Sequence, residues 1–440
     1  MQDNACCADD YRRFVHQLSG RVRSRYHPEY AGWLRQSAGS QPVVQRLPEM
    51  IVRAETVEDV MATVRFAAQY RHPLSIKMGE YSYGHDVVRG NGIFLDISAL
   101  RDCVLDVDNA LAMVGPGLSC RELNHRLEKQ GLTFPIGDEE HAAIGGFLLA
   151  GGMGSHLPSR GRMGVLNIVA VDLVTADGQL HHASESENSP LFWAAQGMGA
   201  NAFCVVVRFY LKCCPLSLTV VNQAYQLPYH ALELLLEIIE GDNWDTRLQI
   251  MIAISRQEEN SPRTLTLNTI AFAQSEEEGA ALQMALIRNI PDNLLTVLAK
   301  AGHGNADELY QRYVRIRSGQ RVGGDGIITH RIRQVAAILD ACLPAQPAKE
   351  GMTLLVWRGK QSFPDVSCQA QGLFFVSTYL QWNSMQEDEA NRRWLLDLYE
   401  RLALLAGERD VEERGSGPGG PGGEMPEDRR SVSIVRRHFR

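Results

Sequence analysis

The chain has 440 residues, 45% apolar and 22% charged, with 52 acidic against 44 basic side chains and a formal net charge of −8. That composition belongs to a globular chain long enough for two or three domains, and its acidic balance excludes a generic nucleic-acid binder, which carries a basic stripe. No run approaches the ~18 consecutive apolar residues of a membrane span, and Met1–Asp10 lacks the basic and apolar regions of a secretory leader, so a cytoplasmic protein with no membrane partner is expected.

Residues 10–40 read as helical and polar. Residues 51–54 read as a short strand. Thr56 has N-cap character ahead of Val57, Val60, Met61, Val64 and Ala67 at helical spacing. A second strand at 73–77 completes a βαβ-like unit that runs into a glycine-containing turn. Strands at 92–97 and 111–115 and a helix at 119–130 follow, and then a glycine-rich stretch, 137–164, without regular pattern. Residues 165–174 are a β-branched run, and 202–211 a further apolar strand. Residues 1–215 are therefore one α+β domain. Beyond them, strand-like runs at 218–224, 248–254, 265–271, 352–357 and 373–380 are interspersed with helices at 230–239, 276–287 and 391–405. This predicts an antiparallel sheet covered by helices over 216–407. Residues 408–440, with the Gly/Pro-rich 415–423, read as an atypical, disordered tail.

Nine cysteines, among them the vicinal pairs Cys6-Cys7 and Cys213-Cys214, show no C-x-x-C spacing. They read as small buried hydrophobes in a reducing compartment. His303 and His330 lack acidic partners at ligand spacing, so no metal site is expected, and His181-His182 reads as solvated.

Two loops stand out. Lys77-Met78-Gly79-Glu80-Tyr81-Ser82-Tyr83-Gly84-His85 is a turn after a strand, where backbone N–H groups can converge on an anion. Gly79-x4-Gly84 imitates a P-loop, but His85-Asp86 stand where Lys-Ser/Thr are required; taken alone, the turn reads as a tight hairpin. The second loop is Ile144-Gly145-Gly146-Phe147-Leu148-Leu149-Ala150-Gly151-Gly152-Met153-Gly154. Glycine at this density costs conformational entropy, so it implies either backbone against a flat or extended ligand or a close crossing of chain segments. It is not the G-x-G-x-x-G fingerprint, which argues against a Rossmann dinucleotide site.

Taken in order with their neighbours, these strings resemble the flavoprotein oxidoreductases with a vanillyl-alcohol-oxidase (PCMH) type of FAD-binding domain, and within them the berberine-bridge-enzyme-like branch. The strings are Pro48…Ile51-Val52, Thr56 to Val60, Gly79 to Gly84, Val114-Gly115-Pro116-Gly117, Phe134-Pro135-Ile136-Gly137, Ile144-Gly145-Gly146 and Gly151-Gly152-Met153-Gly154. They continue through Arg160, Gly164, Asn167-Ile168-Val169, Asp172-Leu173-Val174, Ala176-Asp177-Gly178, Leu191 to Ala194 and Phe203 to Val206. The resemblance implies a two-subdomain FAD-binding domain plus a substrate domain. Gly79, Glu80, Tyr81, Ser82, Tyr83 and Gly84 would offer donors to the FAD pyrophosphate. Gly145, Gly146, Gly151, Gly152 and Gly154 would lie along the diphosphate and isoalloxazine, with Asn167, Val169 and Val205 bordering the cofactor.

Three departures sharpen this expectation. Where many members tether the flavin through a histidine, this chain has Tyr81; where a cysteine gives a second tether, it has Glu139. Non-covalent FAD is therefore expected, with His85 and His141 off register. The closing Tyr-x-Asn and Tyr-Asp-Pro-like strings are absent. For the base, the segment 363–371 is expected to be the substrate-domain strand that presents Asp365, with Tyr379 on the next strand, although a turn aspartate and a half-buried strand aromatic are the plainer readings. The expected activity is hydride removal from a C–H beside oxygen or nitrogen of a small organic substrate, possible in secondary metabolism. The alternative is a flavin-fold cyclase or isomerase without net redox, or a degenerate FAD-binding protein.

Overall fold

The computed structural model describes residues 8–38, 47–79, 90–136, 142–152, 163–199, 203–216, 219–256, 261–303, 321–359, 366–367, 372–406 and 435–439. The chain divides into two compact units, Met1–Leu216 with Pro364–Cys368, and Ser217–Phe363 with Gln369–Arg440.

In the first unit, α1 (Ala8–Gln17), β1 (Val22–Ser24) and α2 (Tyr30–Ala38) occupy the stretch expected to be helical throughout. Ser19 and Gly20, both at positive φ, end α1 and turn the chain into the intervening strand. Then come β2 (Met50–Arg53), α3 (Val57–Tyr70), β3 (Leu74–Lys77) and β4 (Ile93–Asp96). The sheet order is β1-β2-β4-β3, with β2 and β3 both parallel to β4. Thr56 and Asp59 form a capping box that starts α3. The strands alternate with period two. Met50, Val52, Ile93 and Leu95 pack with Phe14, Val60 and Val64, while Ile51 and Phe94 pack with Tyr30 in a separate cluster.

The second sheet of this unit is antiparallel, in the order β5-β6-β10-β8-β9. Its strands are β5 (Cys103–Asp106), β6 (Leu111–Val114), β8 (Ile168–Val174), β9 (Leu180–Ser184) and β10 (Val205–Lys212). α4 (Cys120–Glu128), α5 (Ile144–Leu149) and α6 (Ser189–Ala195) lie between these strands in sequence, and β7 (Leu132–Thr133) pairs with β11 (Cys214–Pro215). The pattern-poor glycine stretch thus contains a helix, α5.

The second unit is one eight-stranded antiparallel sheet, in the order β15-β12-β14-β13-β17-β18-β16-β19. The strands are β12 (Thr219–Pro228), β13 (Leu248–Arg256), β14 (Arg263–Ala273), β15 (Thr296–His303), β16 (Arg321–Thr329), β17 (Glu350–Trp357), β18 (Phe374–Trp382) and β19 (Val435–Phe439). Helices α7 (Leu232–Gly241), α8 (Glu276–Ile287), α9 (Ile332–Cys342) and α10 (Asp388–Ala403) share one core with alternate strand residues such as Ile250, Ile252, Leu265, Leu355 and Val376. The intervening residues form a second face, where Met251, Ala253, Met352 and Leu354 cluster with Val356 and Tyr379 packed on them. No helix among the described residues is long and apolar enough to cross a membrane.

Two expectations change. Of the strand expected at 363–371, the described residues Val366 and Ser367 are in no strand and group with the first unit, the Ser367 N–H donating to the Trp193 carbonyl at 3.3 Å. β18 begins only at Phe374, after Gly372, where a Cβ would come within 2.5 Å of the Thr329 nitrogen. In the tail expected to be disordered, Val435–Phe439 instead adds a strand to the edge that β16 offers.

Candidate functional site

The two loops singled out by sequence meet at α5. Strands β3 and β4 run parallel, so their C-terminal ends deliver Met78-Gly79 and Ile97-Ser98 to the same side of the sheet, the side where open α/β sheets hold ligands. Beneath that edge Lys77 and Asp96 form a buried ion pair at 3.6 Å, and Asp96 also accepts from the Ser98 N–H (3.0 Å) and Oγ–H (2.6 Å). The N-terminal end of α5 then closes on this edge. A Cβ on Gly79 would lie 2.4 Å from that of Ala143, and one on Gly145 would lie 2.7 Å from both Met78 Sδ and Pro116 Cβ. Its C-terminal end is stapled by Val165 N–H to Gly151 O (3.4 Å), Gly164 N–H to Gly152 O, and Gly199 N–H to Leu149 O (2.8 Å). Gly151 and Gly152 have φ of +99 and +60, which glycine alone adopts without strain. The segments around Met78, Pro116, Pro135, Met163 and Gly199 thus converge on one six-residue helix.

This geometry sorts the glycines. Gly79, Gly145 and Gly152 are required by close chain approach, the ligand-free explanation. Gly146 is different: it is exposed, with no atom of the described residues within 4 Å of the place a Cβ would take, and Ala150 one turn later is also exposed. Gly79, Ala143, Gly146 and Ala150 carry nothing larger than a methyl group. A flat, extended cofactor fits such a surface, because its approach to the backbone is unobstructed.

The other residues singled out are placed as follows. Asn167 is buried and its Nδ2 donates to the Met163 carbonyl at 3.0 Å, so its amide secures the turn into β8. Val169 is exposed on β8, whereas the Val205 side chain is buried in the core with Val60 and Leu95. Glu80, Tyr81, Ser82, Tyr83, Gly84, His85, Glu139, His141, Gly154 and Asp365 lie outside the described residues.

Tyr379 is half-buried on the second face of the eight-stranded sheet. Its register partners are Met352 and Gly324, and a Cβ on Gly324 would lie 3.0 Å from its ring. On β13, β14, β17 and β18, the described residues of this face from Met352 to Val356 and their neighbours Met251, Ala253, Phe375 and Ser377 are non-ionisable, with Tyr379 the exception. Sequence reading identified these strands but not this face, because period-two alternation defines two faces without saying which one the helices cover. Asn222 and Gln249 also lie buried on it, and their side-chain oxygens have no hydrogen-bond partner among the described residues.

His182, expected to be solvated, is engaged. Its Nδ1 lies 2.7 Å from Asp172 Oδ1, while Asp172 Oδ2 accepts from Arg208 (3.1 Å) and Tyr210 Oη–H (3.1 Å). Burial, followed by the Asp172 charge, raises the pKa of Tyr210. Burial also pushes the thiols of Cys120, Cys204 and Cys213 up to about 12, which keeps them protonated and unreactive.

Residues 48–184 match a family described as FAD binding domain. The chain is 26% identical over 399 residues to an FAD-linked oxidoreductase of Penicillium janthinellum, covering 86% of each sequence. It is 30% identical over 259 residues to one of Hypoxylon pulicicidum, covering 58% of this chain and 56% of the relative. Its fold is similar to that of a berberine bridge enzyme variant in complex with (S)-reticuline, with a TM-score of 0.72, 16% identity, and 91% and 86% of the two chains covered. It is also similar to 6-hydroxy-D-nicotine oxidase of Arthrobacter nicotinovorans, with a TM-score of 0.70, 19% identity and 87% and 85% covered.

Proposed function

The chain is an FAD-dependent oxidoreductase with a PCMH-type FAD-binding domain, and from that premise we propose that it oxidises a small organic molecule at a C–H next to oxygen or nitrogen, using non-covalently held FAD. The observation that carries this reading is the unobstructed Gly146–Ala150 surface of α5, set where the Gly79 edge and the Gly151-Gly152 turn converge. Gly79, Gly145, Gly146, Gly151 and Gly152 would hold the cofactor, joined by Glu80 to Gly84 and Gly154, with Asn167, Val169 and Val205 shaping its border through backbone and packing. When bound, FAD supplies the hydride acceptor, and the protein supplies position and dryness.

Tyr379 would hold or take the proton of the substrate's hydroxyl or amine, since general acid–base work needs a titratable group within reach of the reacting atoms. Met251, Met352, Leu354 and Val356 give it an apolar setting. Asp365 is the other candidate base. The substrate domain would span 216–407, and a small organic molecule is the expected partner.

Acid precipitation of the purified protein should leave the flavin in the supernatant, as Tyr81 and Glu139 offer no tether. Flavin that stays with the pellet contradicts that point. Anaerobic bleaching of the flavin by an alcohol or amine substrate is expected. If such substrates are instead rearranged without bleaching, the non-redox cyclase reading replaces this one; the apolar setting of Tyr379 beside Met251, Met352 and Leu354 is what favours keeping that reading.

A further inference from the structure

Tyr229, Arg256, Arg263, Asp340, Leu343 and Pro344 line a cavity of about 330 Å³ on the second unit, beside the helix α9 end of the β13–β14 hairpin. Arg256 and Arg263 are direct cross-strand partners in that hairpin. They lie on the helix-covered face, in line with Ile254 and Leu265, away from the face that carries Tyr379. Like charges directly opposite in an antiparallel pair repel, and among the described residues neither arginine forms an ion pair with a carboxylate. Arg263 instead donates to the Leu343 carbonyl, and to Gln346 Oε1 at 3.4 Å. The one carboxylate in the cavity, Asp340, accepts from Tyr229 Oη–H. Burial and the neighbouring Arg256 charge both lower the pKa of Arg263.

We propose that this cavity is a binding site for an organic oxyanion, a carboxylate or phosphate carried on a flat apolar body. The anion would sit between the two guanidiniums, whose planar donors suit it, and the body would lie against Leu343, Pro344 and the Tyr229 ring. A ligand of this kind relieves the arginine repulsion, which an uncharged ligand of the same shape cannot do. The site is independent of the flavin reading, because no residue in it belongs to that surface.

The test is calorimetric titration of the flavin-loaded protein with naphthoate, naphthamide and inorganic phosphate. Naphthoate is expected to bind below about 1 mM and the amide at least about tenfold more weakly. Binding of phosphate alone would assign the site to the anion rather than to the apolar body, narrowing the ligand to a phosphate. R256Q should weaken naphthoate by about tenfold or more with an unchanged flavin spectrum. D340N, which removes the like charge from the cavity, should strengthen it. Equal affinity of the wild type and R256Q overturns the proposal. So does an absence of binding of all three probes.

Discussion

Around α5 the chain works with what it leaves out, and on the second face of the eight-stranded sheet it works with what it puts in. The first region is glycine and alanine, so that backbone segments come within contact distance and one strip stays bare. The second is a floor of methionine, leucine and valine with one phenol among them. A large invariant cofactor can be held by backbone groups, whose positions any sequence can supply once side chains are removed. A substrate has to be distinguished from its analogues, and that takes side chains. Under the proposed function, backbone at one surface for the cofactor and side chains at the other for the substrate are the division of labour expected of a cofactor enzyme.

The largest test of this contrast is Tyr379→Phe. If the phenol serves the proton, kcat falls roughly 10²–10⁴-fold while flavin content and thermal midpoint stay near wild type; a change of only a few fold in kcat removes Tyr379 from that role. Next comes a pair of neighbouring glycines. Gly145→Ala forces a methyl group onto Pro116 and Met78 and should cost about 1–3 kcal/mol, read by denaturant unfolding. Gly146→Ala meets no atom and should leave stability within ~0.5 kcal/mol or raise it slightly, since alanine is the better helix former. Gly146→Leu, by contrast, should lower flavin retention. Full retention in Gly146→Leu would mean the bare strip is not the cofactor surface.

Tyr399→Phe probes the support under Tyr379. The buried Tyr399 hydroxyl accepts from the Thr378 N–H at 2.7 Å and donates to the Asp325 carbonyl, joining α10 to β16 and β18. Its loss should cost about 1–3 kcal/mol, and kcat should fall only as far as the β18 backbone moves. Unchanged stability would show that the bridge is dispensable.

The smallest effect is a pH slope in the first unit. Glu122 caps α4 and is held at about 2 by Arg101, then by Ser119. A depressed carboxylate contributes stability above its ordinary pKa near 4.5 that is lost as pH falls towards 2. Glu122→Gln should flatten the acid limb of a thermal-midpoint profile in that window; an identical limb in the variant assigns the slope to other carboxylates.

Much of the first unit was legible because its signals are local. The Thr56 cap, the β2–α3–β3 order and the strand at 205–212 follow from period and capping within a few residues of each other. α5 was hidden because a helix carrying Gly145 and Gly146 contradicts intrinsic propensity, and packing overrides propensity there. β16 was not anticipated, because Gly323, Gly324 and Gly326 weaken a strand signal. Yet a Cβ on Gly323 would fall within 3 Å of Leu395, a contact about 70 residues away along the chain. The Asp172–His182–Arg208–Tyr210 cluster was equally invisible, because three strands bring it together.

By itself, then, the sequence determined the cofactor class and the β2–α3–β3 order with its Thr56 cap, since these are written in local strings of residues. Which glycines touch chain and which face open space was decided only in three dimensions, as was the face that holds Tyr379 and the cross-strand meeting of Arg256 with Arg263. The physical reason is that period-two and glycine signals state how a residue can be placed, while only packing across long loops states what it is placed against.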